Sequence, residues 1–151
     1  MKKYLFIAVL LSIACAGPFR GSRVGGDGPV QFQTILSGAY SLADTFSIQL
    51  IKSEDKWEDV WLIAKGRINP LPDKPTVDFD RQYVIAAFLG ERSSSGYRIE
   101  IESLELAGRT LNVYVTKYET PGMLTVITSP FFLARVPKGS YKLEVISKIV
   151  R

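Results

Sequence analysis

Residues 84–97 read VIAAFLGERSSSGY, and the reading of this stretch decides the fold. A continuous apolar run, residues 84–89, ends at Gly90. Six apolar residues without a polar interruption predict a strand buried on both faces. A short polar loop with Ser93, Ser94 and Ser95 follows, and Gly96-Tyr97 then opens the alternation YRIEIE, which predicts a strand with one face in water. The loop between them holds Arg92 and Tyr97 beside its serines, a candidate recognition surface with no catalytic group beyond hydroxyls.

Working outward, strand patterns repeat. Val30, Phe32 and Thr34 alternate with Gln31 and Gln33, and Phe46, Ile48 and Leu50 alternate with Ser47 and Gln49. Further strands are expected at 83–89, 97–106, 110–118, 131–136 and 141–149. Gly108 marks a hairpin turn at 107–109, and Gly139 marks a second at 138–140. One helix is expected at about 53–65, with Ser53 as N-cap, Glu54 and Asp55 in the first turn and Gly66 as the stop. Trp57, Val60, Trp61 and Ala64 fall three and four apart and make a core-facing stripe, with a ligand platform as the alternative for the tryptophans. Residues 68–76 carry Pro70, Pro72 and Pro75 and read as a loop. About seven strands with a single helix give an all-β fold, a mainly antiparallel β-sandwich or open barrel.

Composition narrows the chemistry. The 151 residues contain no histidine and one cysteine, which excludes imidazole bases, Ser-His-Asp and Cys-His systems and nearly all zinc sites. That cysteine, Cys15, ends an N-terminal stretch with a basic start (Lys2, Lys3) and an apolar segment at 4–14. Eleven apolar residues are too few to span a bilayer, which takes about 20 as a helix. Residues 1–14 therefore read as a lipoprotein-type signal peptide with Cys15 as the lipidation site, the rival being secretory cleavage after Ala16. Residues 15–29 read as a flexible tether, in which the 14 residues at 16–29 have an r.m.s. reach of roughly 20 Å, and 30–151 as one β domain. Removing Lys2 and Lys3 lowers Lys+Arg from 19 to 17 against 15 acids, a net charge of +2 that is no footprint for nucleic acid.

Each motif has a plainer alternative. The loop from Gly90 to Gly96 lacks the Lys-Ser/Thr of a phosphate loop and precedes a strand, so no helix N-terminus stands ready for an anion. Asp78 and Asp80 flank Phe79 and lack further ligands at calcium-loop spacing, so turn capping is the reading. Glu100, Glu102 and Glu105 form a solvated face. Residues 119–129 connect two strands over a length unusual for a hairpin, within an aromatic and proline-rich stretch that includes Tyr114, Tyr118, Pro121, Met123, Pro130, Phe131 and Phe132. It is either an apolar protein-binding patch or a loop folded over the end of the core.

Taken as an ordered set, the residues resemble the PrcB-like family, named for the PrcB subunit of a spirochaete cell-surface protease complex. The set is the Trp57–Trp61 helix, Val77-Asp78-Phe79, the run from Val84 to Gly90, Arg92, Gly96, Tyr97, Pro121, Thr128, Pro130 and Phe131. The resemblance runs over about residues 30–147 and includes the lipoprotein-type leader. In the family the loop usually reads Gly-x-Arg-Pro-Thr-Gly-Gly-Tyr; this chain keeps Gly90, Arg92, Gly96 and Tyr97 and has Ser93, Ser94 and Ser95 at the other three places. The resemblance implies a non-catalytic accessory lipoprotein that associates with and stabilises a protease complex.

The expectation is thus an exported cell-envelope protein, lipid-anchored at Cys15 and at the outer membrane where the cell has two, that binds a protein partner such as an exported protease. The candidate partner-binding residues are Arg92, Ser94, Gly96, Tyr97, Pro121, Thr128 and Pro130. No catalytic residue, metal, cofactor, small-molecule substrate or nucleic acid is expected. The alternatives are a small β-sandwich peptidase inhibitor using the loop at 93–97, a serine hydrolase, and an envelope protein of purely structural role.

Overall fold

An unbroken apolar strand needs cover on two sides, and here a helix supplies one and a second sheet the other. The computed structural model describes residues 26–151; the expected leader, Cys15 and the first part of the tether lie outside the described residues. Along the chain run β1 (Gly28–Pro29), β2 (Gln33–Gly38), β3 (Ser47–Ile51), α1 (Glu54–Lys65), β4 (Gln82–Phe88), β5 (Arg98–Ala107), β6 (Thr110–Tyr118), β7 (Phe131–Pro137) and β8 (Lys142–Val150). They form two four-stranded sheets, ordered β1-β5-β6-β8 and β2-β7-β4-β3. The fold is an all-β sandwich with one helix laid on the outside of the second sheet.

The two faces of β4 lead into two cores. Ile85, Ala87 and Leu89 point between the sheets, where they meet Ile99, Leu104, Leu111, Val113, Phe132 and Ala134. Val84, Ala86 and Phe88 point the other way, onto Trp57, Val60, Trp61 and Ala64 of α1. Each of the six is at most 1% exposed, as period-two alternation in a doubly covered strand requires. The tryptophans are core residues, with ring centroids 5.7 Å apart. Their indole N–H groups find partners in the proline loop: Trp57 Nε1 donates to Pro75 O and Trp61 Nε1 to Pro72 O, both at 2.9 Å. Burial of the rings thus leaves no orphan donor.

Ser53 occupies the N-cap position in extended conformation (φ −144°, ψ 158°), but its hydroxyl makes no capping bond. Glu54 pairs with Lys74 across the proline loop. Gly66 stops the helix with right-handed geometry (φ −63°), so its free φ is not what ends α1. A side chain there would strike Leu62 O and Leu42, so Gly66 is a matter of space.

Three expectations need correction. The turn at 138–140 is not a hairpin: β7 and β8 belong to different sheets, and β8 runs parallel to β6, from Thr110↔Lys142 to Tyr118↔Val150. The alternation at 30–34 is not one strand. Gly28 and Pro29 pair with Leu106 and Glu105, Val30 N donates to Leu104 O at 2.9 Å, and the chain enters the other sheet only at Gln33. The last residues of the expected tether are therefore part of the sandwich. Finally, the alternation opened at Tyr97 breaks at a bulge between Ile101 and Ser103, so the buried residues change from Ile99 and Ile101 to Leu104 and Leu106. The bulge brings Glu100, Glu102 and Glu105 onto the outer side. There Glu100 faces Arg98 at 2.9 Å, Glu105 accepts from Tyr114 OH at 3.1 Å, and Lys148 Nζ, at 2.8 Å, holds the Glu102 carboxyl below its usual range.

The depth of burial predicts a contrast in stability. Ile85→Ala empties space between the sheets and should cost about 2–5 kcal/mol, whereas Val145→Ala on the half-exposed β8 should cost less than about 1 kcal/mol. Urea unfolding followed by tryptophan fluorescence measures both, and equal midpoints would contradict the assignment of the core.

Candidate functional site

β4 and β7 both terminate at one end of the sandwich, and each is flanked there by a loop: residues 89–97 lead from β4 to β5, and residues 119–130 lead from β6 to β7. The two loops are hydrogen-bonded to each other along their length. Leu89 N donates to Pro130 O at 2.8 Å, Arg92 and Thr128 exchange backbone bonds of 2.8 and 2.9 Å, and Ser95 N donates to Leu124 O at 2.9 Å. Thr128 Oγ1 donates to Ser94 O at 3.0 Å, and Gly122 N to Ser95 O at 2.5 Å. Two segments that read as loops in sequence thus share a backbone ladder, which fixes them without sheet geometry.

Two glycines permit the close approach. Gly90 (φ +81°) leaves room for Asp44 O and Thr45, which a Cβ would meet at 2.8 Å. Gly96 (φ +93°) lies against Thr120 O and Gly122, the latter's nitrogen 2.7 Å from where a Cβ would stand. Both combine a left-handed φ with backbone contact, so only glycine fits without strain.

A third segment joins from below. Ser41 and Ser129 are almost wholly buried, with their hydroxyl oxygens 2.7 Å apart. Ser41 Oγ donates to Ser129 O at 2.9 Å and Ser129 Oγ to Ala43 O at 2.5 Å, while Ser129 N donates to Ala39 O at 2.8 Å. Arg67, just past α1, donates from Nε to Ser41 O at 2.5 Å and reaches Glu91 at 3.5 Å. This polar knot ties the segment at 39–45 to the long loop.

The candidate residues separate into two groups. Arg92 is half-buried; its guanidinium lies 3.7 Å from Glu119, 2.8 Å from Glu91 O and 5.8 Å from the centre of the Tyr97 ring. Tyr97 packs its ring against the inter-sheet core and also walls a groove of about 230 Å³ beside Gly38, Ile99 and Phe132. Thr128 and Pro130 are buried, and Gly96 and Ser94 act through space and backbone, so these four hold the loops together. Pro121 is exposed at the start of the long loop's tip. The surface beyond it consists of Met123, Leu124 and Ile127, all strongly exposed. Leu124 and Ile127 carried no periodic signal in a stretch too short and irregular for one; Ser41, Ser129 and Glu119 matter through partners distant in sequence.

Ser94 Oγ donates to Ser95 O at 3.2 Å and Ser95 Oγ accepts from Leu124 N at 3.3 Å, so these two hydroxyls serve backbone groups. Asp78 Oδ1 accepts from Asp80 N at 3.0 Å, and Asp78 O takes the N–H groups of Arg81 and Gln82, which is turn capping. Among the described residues no three His, Cys, Asp or Glu side chains gather at metal-binding distance.

Disrupting the interlock should cost stability. Gly96→Ala is expected to lose about 1–3 kcal/mol through its φ and the collision with the facing loop. Ser129→Ala removes the hydroxyl that donates to Ala43 O and sits against Ser41 Oγ, and should lose about 1–3 kcal/mol. Ser93→Ala, at an exposed position, should shift stability by less than about 0.5 kcal/mol. Chemical denaturation of the three variants ranks them, and an unaffected Gly96→Ala would refute the interlock.

No curated protein and no solved structure gives a significant match to this chain. The family comparison does match, over residues 83–137 and under the description PrcB C-terminal. The matched segment runs from β4 to the end of β7 and contains both loops; it is shorter than the resemblance at 30–147 and excludes the tryptophan helix. The family is of accessory type rather than a known catalytic one. The part of this chain that is similar to the PrcB C-terminal family is thus β4 to β7 with both interlocked loops.

Proposed function

We propose that this chain is a non-catalytic envelope lipoprotein, exported and anchored through Cys15, that serves as an accessory or stabilising subunit of an exported protease complex. The observation that carries the reading is the exposed apolar trio Met123, Leu124 and Ile127 on a loop held in place by its neighbour. Apolar side chains standing in water on a fixed backbone suit a preformed contact surface, because little ordering entropy remains to be lost on docking. The family match adds the class of partner, a component of a protease complex. A docking platform also suits the loop at 90–97 better than inhibition by insertion does. Its backbone is bonded to residues 122–128 and Tyr97 packs inward, so no free tip projects into a cleft.

The test is co-purification of an exported protease with the tagged full chain after cross-linking in cells. Met123→Ser/Leu124→Ser/Ile127→Ser should reduce protease recovery about tenfold or more, the scale of removing a small set of interface anchors. Arg92→Ala/Tyr97→Ala should reduce it less, because both side chains work partly within the fold. Equal recovery from wild type and the folded triple variant would overturn the assignment of the surface.

A further inference from the structure

The end of the sandwich opposite the interlocked loops has a different character. There Lys52, Tyr83, Arg109, Thr110, Tyr141 and Lys142 line an open cleft of about 580 Å³, closed off by the turn at Gly139-Ser140. Its lining includes three cations and no carboxylate. None of Lys52, Arg109 and Lys142 forms an ion pair among the described residues. Lys138 stands beside the cleft, its Nζ 5.8 Å from the centre of the Tyr83 ring, with Lys52 Nζ at 5.7 Å. Of the carboxylates nearby, Asp78 faces Arg81 at 3.6 Å, and Asp27, outside the cleft lining, accepts from Gly108 N at 2.7 Å. At the loop end, by contrast, Arg67, Arg92, Arg98 and Lys148 each face a glutamate. The three unpaired cations of the cleft are thus gathered around one concavity, whereas these four are each matched by a carboxylate.

That end is also where the chain enters the domain. Asp27 bonds the turn at Gly108, and Gly28 pairs with Leu106, next to Arg109 and Thr110 of the cleft. Cys15 lies eleven residues before Gly26, a length that spans at most about 40 Å even when fully extended. The geometry points to a second membrane contact: Lys52, Arg109 and Lys142 bind the phosphate headgroups of an anionic bilayer. This inference rests on the reading of the chain as anchored through Cys15. A basic patch held within a few tens of ångströms of the anchored surface adds an electrostatic contact to the lipid anchor and orients the domain on it. The arrangement also turns the Met123–Ile127 loop away from the membrane, because β4 runs from the cleft at Tyr83 to the loops at Gly90.

Co-sedimentation of the full chain with vesicles tests this. Vesicles of phosphatidylcholine alone are compared with vesicles containing phosphatidylglycerol, at low and high salt, so that any apolar binding by residues 1–14 is common to both. Wild type should prefer the anionic vesicles and lose the preference at high salt. Lys52→Gln/Arg109→Gln/Lys142→Gln should weaken binding to the anionic vesicles about tenfold or more. The control Lys65→Gln/Arg98→Gln/Lys148→Gln, with the same loss of charge, should stay within about twofold of wild type. Matched thermal unfolding checks that the variants fold, and Arg109→Gln/Lys142→Gln should give an intermediate loss. Equal weakening by the two triple variants, or none by the first, would overturn the inference. So would displacement by millimolar inorganic phosphate well beyond that by chloride of equal ionic strength, which would indicate a site for a free anion. Vesicle binding needs no protein partner, so it can fail while protease recovery holds, and mass spectrometry of Cys15 reads the anchor separately.

Discussion

The double burial of β4 is the constraint on which the rest of the structure depends. A strand with Val84, Ala86 and Phe88 on one face and Ile85, Ala87 and Leu89 on the other cannot lie at an edge or leave a face to water. It takes β3 and β7 as neighbours, the β5–β6 sheet on one side and α1 on the other. The alanines at 86 and 87 matter as much as the larger residues. At Ala86 the small side chain lets the Trp57–Trp61 pair come close, and at Ala87 it gives room to Phe132, directly across the strand pair. The helix then needs few intrinsic supports, which fits the absence of a side-chain cap at Ser53.

From that central strand the functional end follows by continuity. β4 and β7 are paired residue for residue from Gln82↔Pro137 to Phe88↔Phe131, so the loops beyond Phe88 and before Phe131 begin side by side. The Leu89–Pro130 bond extends the pairing by one step, and the Arg92–Thr128 bridge resumes it. Ser41 and Ser129 then bind the segment after β2 to the same unit. The result is a rigid base beneath Met123, Leu124 and Ile127, although no residue between 119 and 130 belongs to a regular strand.

Much of the fold was legible because its signals are local. The run at 84–89, the stripe of Trp57, Val60, Trp61 and Ala64, and the turn at Gly108 each speak through neighbours a few residues away. What was not legible depends on partners far along the chain. The sequence KGS at 138–140 suits a hairpin, yet nothing in it states that β8 will join β6 in parallel in the other sheet. The bulge in β5 was legible in principle, since Ile99 and Ile101 are odd-numbered and Leu104 and Leu106 even-numbered, a change of phase that only an extra residue can absorb. At the candidate site, Arg92 and Tyr97 stood out as chemically rich residues. Thr128, which stood out in the family pattern, proves to be a fastener, and the exposed apolar tip had no pattern to mark it.

The loop's departures from the family pattern have a physical reading in this arrangement. Its bonds to the facing loop run through backbone atoms: Arg92 N and O, Ser94 O, and Ser95 N and O. Serine in place of proline at 93 and of threonine at 94 leaves those atoms where they are, so the interlock survives the exchange of side chains. Serine in place of glycine at 95 is the more demanding change, because its hydroxyl stands against the backbone of Gly122, where a Cβ would collide with it. The chain accommodates Ser95 by having glycine opposite, and it gains an acceptor for Leu124 N at 3.3 Å. Backbone pairing thus frees the side chains of the turn to vary, whereas Gly90 and Gly96, which conform to the pattern, are the positions where a side chain would push the turn away from the segment at 44–45 and from the facing loop, respectively.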